Sequence, residues 1–305
     1  MVRKLEKEGF GNIITRTHSE LDLTRQADVE KFFEKEKPDY VILAAAKVGG
    51  IHANDTYPAD FIMKNLQIEC NVIDAAYKNQ VQKLLFLGSS CIYPRECPQP
   101  IKEEYLLSDY LEKTNEAYAL AKIAGLKMCS YFNKQYGTDY ISVMPCNLYG
   151  INDNFSLENS HVLPALMRKF HEAKIKGEST VTVWGSGKPL REFLNVDDLA
   201  DACLFLMDNY KGDEFFNVGY GEEISIMDLA QLVKETVGFE GKIVMDTDKP
   251  DGTMRKLTDI SRIKALGWEP KITLEQGLQE TYRWFLDKYE SGDFAVRWVR
   301  YRLSN

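Results

Sequence analysis

The chain has 305 residues, 44% of them hydrophobic, and carries 38 Lys and Arg against 46 Asp and Glu, a net charge of −8. That length supports a large buried core and about two domains, and the surplus of acid argues against nucleic-acid binding through bulk charge. No apolar run approaches the ~20 residues of a membrane span, and the opening MVRKLEKEGFGN does not read as a secretory leader. The six cysteines (70, 91, 97, 129, 146 and 203) include no C-x-x-C pair, so they read as reduced thiols of a cytoplasmic protein, without a metal site.

Val2 to Glu8 reads as an amphipathic helix ended by Gly9. NIITRT (12–17) follows as a strand, ADVEKFFEKEK (27–37) as a helix and DYVILAAA (39–46) as the next strand. A helix from about Pro58 to Asn79, the strand KLLFLGSS (83–90), a helix from about Asn115 to Tyr136 and the strand DYISVMP (139–145) continue the alternation. Such alternation predicts an α/β fold, a doubly wound parallel sheet. The polar, turn-rich INDNFSLENSH (151–161) opens a smaller unit, with a helix from about Val162 to Lys176 and the strand TVTVWG (180–185). FLNVDDLADACLFLMDNY (193–210) and EFFNVG (214–219) have the texture of a return to the first sheet, and helices near 225–237 and 273–290 around KIVMDT (242–247) complete the second unit. The expected domains are therefore 1–150 plus about 193–220, and 151–192 plus 221–305. FAVRWVRYRLSN (294–305) reads as a frayed terminus, with a sticky interaction tail as the alternative.

A dinucleotide-binding sheet opens with a strand, a glycine-rich turn and a helix whose N-terminus holds the pyrophosphate. No G-x-x-G-x-x-G or G-x-G-x-x-G stands ahead of the opening helix here, so the reading expects a sheet without its first strand, and further residues upstream of Met1 in the natural protein.

Tyr118 and Lys122 are four residues apart on one helix, so they share a face and can meet the same ligand. An ammonium ~4 Å from a phenol at an effective dielectric of ~20 is worth ~4 kcal/mol, in the direction that lowers a tyrosine pKa towards neutrality. Tyr118 would then give a proton to a reduced carbonyl, with Ser89 at the preceding strand end bonding the same oxygen; a solvated helix face and a serine turn or cap are the plain alternatives. After NIITRT an NAD site would place an acid for the ribose 2′-hydroxyl, whereas this chain offers Thr15, Arg16, Thr17 and His18. A cation there suits a 2′-phosphate and hence NADPH.

AAAKVGG (44–50), NDTYPADF (54–61), LLFLGSSCIYP (84–94), TNEAYALAKIAG (114–125), VMPCNLYG (143–150), DNFSLENSHVLPAL (153–166), WGSGKPLREFLNVDDLA (184–200) and KPDGTMRKL (249–257) together resemble the extended short-chain dehydrogenase/reductase superfamily. Within it they are similar to the GDP-L-fucose synthase family, NADPH-dependent epimerase-reductases that convert GDP-4-keto-6-deoxy-D-mannose to GDP-L-fucose. The resemblance implies a Rossmann-type domain, a smaller α/β substrate-binding domain and a homodimer. It implies Ser89, Tyr118 and Lys122 as the reductive triad, and Cys91 and His161 as the groups exchanging protons beside the keto carbon. At the cofactor it implies Asp22 and Leu23 near the adenine, with Ala45, Ala46 and Lys47 lining the next strand end. For the GDP-sugar it implies Asn147, Val162, Lys169, Trp184, Arg191 and, less specifically, Lys256. Arginine suits bidentate contact with a diphosphate and lysine supplies a point charge. Cys146 stands where relatives commonly have threonine and Ile151 where proline often follows Tyr-Gly. Two other readings stay open: a related nucleotide-sugar epimerase or dehydratase, against which Ser-Ser-Cys at 89–91 counts, and a truncated, non-catalytic sugar-nucleotide-binding relative.

Overall fold

The computed structural model describes residues 1–157, 160–249 and 251–291, apart from the side chains of Ile51 and His52. In chain order the elements are α1 (Val2–Lys7), α2 (Gln26–Glu36), β1 (Tyr40–Leu43), α3 (Ile51–Thr56), α4 (Pro58–Lys78), β2 (Lys83–Leu87), α5 (Glu116–Tyr136) and β3 (Tyr140–Pro145). They continue with β4 (Asn147–Tyr149), α6 (Val162–Lys176), β5 (Thr180–Trp184), β6 (Leu190–Arg191), β7 (Phe193–Asn195), α7 (Val196–Asn209) and β8 (Phe216–Val218). The last are β9 (Ile224–Ser225), α8 (Ile226–Val237), β10 (Lys242–Asp246), β11 (Arg255–Lys256), α9 (Ser261–Ala265) and α10 (Leu274–Glu290). The terminal segment 294–305 lies outside the described residues.

The chain divides into two compact units. The first comprises Met1–Cys146, Asp197–Gly221 and Thr258–Pro270, and its sheet runs β1-β2-β3-β8 with every pair parallel. β2 reads as a nearly unbroken apolar run because, in the middle of the sheet, both of its faces are covered. α4 starts at Pro58, where a missing N–H costs nothing, and buries a stripe of Phe61, Val72, Ile73 and Ala76. α5 stops where Gly137 takes a left-handed φ of 71°.

The domain boundaries shift, with 147–150 and 193–196 falling in the second unit, and two larger features differ from the sequence reading. NIITRT (12–17) forms no strand, and most of it is exposed, Ile14 at 40%. Strand geometry needs a partner for its backbone N–H and C=O groups; among the described strands β1 pairs with β2 alone, and none takes up 12–17. The second difference is Thr258–Pro270, expected in the smaller domain but packed on the larger. Ile260, Ile263 and Trp268 are buried there, Trp268 donates its indole N–H to Asp201 Oδ2 at 3.0 Å, and Thr258 bridges Ile101 in parallel. Trp268→Ala should therefore destabilise the first unit by about 3–5 kcal/mol, read as a lowered urea midpoint by tryptophan-independent circular dichroism; an unchanged midpoint would return the segment to the other unit.

The second unit comprises Asn147–Val196, Glu222–Leu257 and the chain from Lys271 on. β5 pairs in parallel with β10, β4 with β7, and β6 lies between β11 and β9. Phe155, Phe170, Leu229, Val233, Leu278 and Phe285 are core residues of this unit. α10 opens with a capping box in which Thr273 and Gln276 satisfy each other's backbone N–H groups.

Candidate active site

The first unit assembles a polar cluster at the carboxyl end of β2. Gly88, just after that strand, lies close against β3, where a Cβ would displace the end of the Met144 side chain and stand 3.2 Å from the Val143 carbonyl. The chain then enters a single 3-10 turn, Ser90–Ile92, capped by the Ser89 side chain, which accepts from the Cys91 amide at 3.2 Å. Ser89 also hydrogen-bonds the Tyr118 phenol, so one hydroxyl ties the turn bearing Cys91 to α5. Tyr118 packs edge-on against Phe61 of α4, at 6.3 Å between ring centroids.

Lys122 is only 2% exposed. Its ammonium donates to the Leu87 carbonyl at 3.0 Å, lies 3.3 Å from Glu69 Oε1 and sits 5.9 Å from the Tyr118 ring centroid. The expectation that Lys122 would pull the Tyr118 pKa towards neutrality is overturned. Burial pushes the phenol up, nearby Cys91 and Glu69 push it further, and the Ser89 hydrogen bond only partly opposes them. The physical reason is chiefly burial of the phenol, and the Lys122 ammonium meanwhile faces a carboxylate the sequence reading did not single out. Burial raises the Glu69 carboxyl to about 7 while Lys122 draws it down, and burial lowers Lys122 while Glu69 draws it up. Glu69 could have been noticed as an acid on the apolar face of α4, in line with Phe61, Asn65, Val72 and Ile73. Gly125, one turn beyond Lys122, makes room for it: a Cβ there would lie 2.8 Å from Glu69 Oε2 and 2.5 Å from the Phe86 ring.

The proposed cofactor residues are more scattered. Lys47 is held by Asn65, which accepts from its amide at 2.8 Å and donates to its carbonyl at 3.0 Å, and the Lys47 ammonium lies over Phe61. This sets Lys47 over Phe61, whose ring meets Tyr118 edge-on, with Ala45 exposed and Ala46 half-buried just before Lys47. Asp22 accepts from the amide and hydroxyl of Thr24; burial opposes its ionisation, but those bonds leave its pKa below the ordinary value. Leu23 packs on the core and its carbonyl accepts from Asn71. Arg16 is engaged by Glu36 at 2.8 Å and lies over Phe32. The Ser89, Tyr118 and Lys122 cluster fits the ribose and ring end of a nicotinamide cofactor. The opening helix fits the pyrophosphate less well: α1 has six residues, and the Met1 amino group at its start faces Asp197.

The second unit holds His161 and all six residues proposed for the sugar nucleotide. His161 is the N-cap of α6 and Val162 its first residue, both exposed. Lys169 and Lys249 stand over the ring of Trp184, at 5.1 and 5.5 Å, and Trp184 is 63% exposed. Arg191 on β6 is the register partner of Lys256 on β11, which sets two cations side by side, with Asp251 close enough to stabilise the guanidinium charge. Asn147 spends its side-chain amide on the Glu192 carbonyl at 2.8 Å and so holds β4 beside β7.

Residues 1–219 match the model of the NAD dependent epimerase/dehydratase family. The chain belongs to that family. Within it, the chain is 65% identical over 286 residues to GDP-L-fucose synthase 1 of Arabidopsis thaliana, covering 94% of this chain and 88% of that one. It is 52% identical to the GDP-L-fucose synthase of Escherichia coli, over 94% and 92% of the two chains. Among solved structures it matches a GDP-L-fucose synthetase from Naegleria fowleri bound to NADP, with a TM-score of 0.89, 34% identity and coverage of 95% and 89%. These family members share the Rossmann-like arrangement of a parallel sheet flanked by helices seen here.

Proposed function

We infer that this chain is an NADPH-dependent epimerase-reductase that converts GDP-4-keto-6-deoxy-D-mannose to GDP-L-fucose, inverting C3 and C5 and then reducing the C4 ketone. The observation that carries the reading is the joining of Ser89, Cys91 and Tyr118 at one strand end, which puts a thiol beside a pair of hydroxyls. The identity to the Arabidopsis enzyme supports the choice of substrate.

The residues supply the chemistry in two stages. A C–H beside a ketone becomes acidic when hydrogen bonds stabilise the enolate oxygen, and Ser89 and Tyr118 are the donors for it. Cys91, as thiolate, takes the proton from one face, and His161 returns one to the other. NADPH, when bound, supplies the hydride to C4. Tyr118 then gives its phenolic proton to the oxygen, recovering one from solvent. Its raised pKa suits this task, since the phenol stays protonated through the neutral range. In this reading Lys122 serves the cofactor ribose, and Arg16, Asp22, Leu23, Ala45, Ala46 and Lys47 serve the rest of the dinucleotide. Arg191, Lys256 and Lys169 meet the diphosphate, and Trp184, with Val162 and Asn147, the remainder of the nucleotide sugar.

The test couples two assays on the purified chain. With GDP-4-keto-6-deoxy-D-mannose the wild type should oxidise one NADPH per GDP-L-fucose formed, whereas no NADPH consumption would reject the reading. Cys91→Ser should lose exchange of the C3 and C5 protons with deuterated solvent, by about 10²-fold or more, because a serine hydroxyl is too weak an acid to replace a thiolate. It should still reduce an already epimerised ketone; normal exchange in this variant would remove Cys91 from the base role.

We also propose a homodimer and a cytoplasmic location. For the dimer the support is an exposed aromatic and apolar face on α4 and α5: Met63, Tyr77, Tyr131 and Tyr136, with Tyr77 and Tyr136 stacked at 4.3 Å. For the location it is the pattern of unclustered cysteines.

A further inference from the structure

We propose that Asn217 is a positioning residue for Cys91, acting through the Tyr93 hydroxyl to hold the reactive turn from its downstream side. The inference rests on the proton-exchange role of Cys91 given above and adds a residue to it.

Cys91 lies in a turn of three residues, Ser90–Ile92, and a turn so short is placed by what grips its two ends. At the upstream end the Ser89 hydroxyl accepts from the Cys91 amide at 3.2 Å. At the downstream end Ile92 is fully buried, and Tyr93, 3% exposed, donates its hydroxyl to Asn217 Oδ1 at 2.5 Å. Asn217 itself sets the direction of that bond, because both protons of its amide are spent elsewhere. Its Nδ2 donates to the Ile101 carbonyl at 2.9 Å and to the Asp259 carbonyl at 3.1 Å. Its backbone N–H, on β8, donates to Glu103 Oε1 at 2.9 Å, and the other oxygen of that carboxylate lies 3.4 Å from Arg262 Nε. Asn217 has no exposed surface, so losing any of these bonds leaves a polar group without water to replace its partner.

One side chain therefore holds the segment 93–101 at both ends, Tyr93 and Ile101, and joins it to Asp259 of the stretch that packs on the first unit. The residue type is chosen for that task. A leucine would fill a similar volume in a buried strand but would leave two carbonyls and a phenol unpaired. An aspartate would accept from Tyr93 but could not donate to both carbonyls. The two grips on the turn also serve different groups. Ser89 belongs to the pair of hydroxyls used in reduction, whereas Tyr93 bears on the thiol two residues before it. Removing the Tyr93 hydroxyl leaves the Ser89 cap and the packing of Tyr118 on Phe61 untouched. The reducing hydroxyls then keep their geometry while Cys91 loses one of its restraints.

The experiment uses the full chain and Tyr93→Phe, which removes one oxygen and leaves Asn217 Oδ1 without its donor. Exchange of the C3 and C5 protons with deuterated solvent should fall about ten-fold, since displacing a reacting group by about 1 Å costs up to about 10²-fold. Reduction of an already epimerised ketone by NADPH should keep its rate. Asn217→Ala should lower exchange at least as much, and the two substitutions together should not add, because one residue acts through the other. The cysteines give a readout without substrate. Labelling by iodoacetamide, followed by peptide mass spectrometry, should speed up at Cys91 in Tyr93→Phe by about three-fold or more as the turn opens locally. Exposed Cys70 should label as before, and buried Cys129 and Cys203 should stay protected. Tyr93→Phe serves alone if Asn217→Ala does not fold. Unchanged exchange, an equal loss of exchange and reduction, unchanged Cys91 labelling, or faster labelling of Cys129 and Cys203 as well, overturns the proposal. A wild-type chain that exchanges neither proton, while Cys91 labelling responds as expected, rejects the base role of Cys91 and leaves the anchoring of its turn standing.

Discussion

Tyr118→Phe should slow hydride transfer from NADPH to the C4 ketone by about 10²- to 10⁴-fold, the usual contribution of a positioned general acid. The substitution removes one oxygen and keeps the ring, so the edge-on packing against Phe61 survives and the fold should hold. What is lost is the proton donor and its bond to Ser89. Because the same two hydroxyls stabilise the enolate, solvent exchange at C3 and C5 should also slow, but less, since Ser89 remains. Single-turnover NADPH oxidation by stopped flow, with exchange followed separately by NMR, measures both. An unchanged oxidation rate would remove Tyr118 from the reductive step, whatever its contacts.

A second large effect is expected at the other end of the cofactor. A version of the chain carrying a strand and a glycine-rich turn ahead of Met1 should bind NADPH about ten-fold or more tightly than the 305-residue chain, and should be more stable. Two charge-assisted hydrogen bonds from backbone N–H groups to a pyrophosphate, at about 1.5–3 kcal/mol each, exceed the 1.4 kcal/mol that a ten-fold change requires. Side chains do not replace them here. Arg16 is engaged by Glu36, and Lys47 is held over Phe61 with Asp60 at 3.4 Å. The stability gain follows from pairing: an added strand beside β1 would satisfy backbone groups there and give residues 12–17 a partner. Calorimetric titration of both versions decides it, and equal affinity would mean that the chain holds the pyrophosphate by another surface.

The alternation of strand and helix was legible because β2 and β3 are buried on both faces and therefore appear as continuous apolar runs. α4 and α5 carry buried residues at helical spacing, and the same spacing exposed the Tyr118 and Lys122 pair. What the sequence concealed depends on partners distant along the chain. NIITRT has strand composition, but a strand is a property of two segments, and its neighbour is lacking among the described ones. Arg16 was read as a phosphate ligand without sight of Glu36 across the turn. Thr258–Pro270 gives little periodic signal, since α9 has five residues and Trp268 lies beyond it, so only packing assigns it to the first unit. Glu69 was visible as an oddity on an apolar stripe, yet its meaning required α5 to be laid beside α4.

Among the described strands β1 has a neighbour on one side alone, which bears on how this chain behaves at high concentration. Its sequence, YVIL, is apolar, and Tyr40 is 60% exposed. Sheets usually blunt such margins with lysine, proline or a bulge, because a row of unused amide and carbonyl groups is a template for a strand from another molecule. Nothing in Tyr40–Leu43 plays that part. This segment is thus a template for edge-to-edge self-assembly of the chain, and a lysine at the exposed Tyr40 would oppose it at a point remote from Ser89, Tyr118 and Lys122 in sequence.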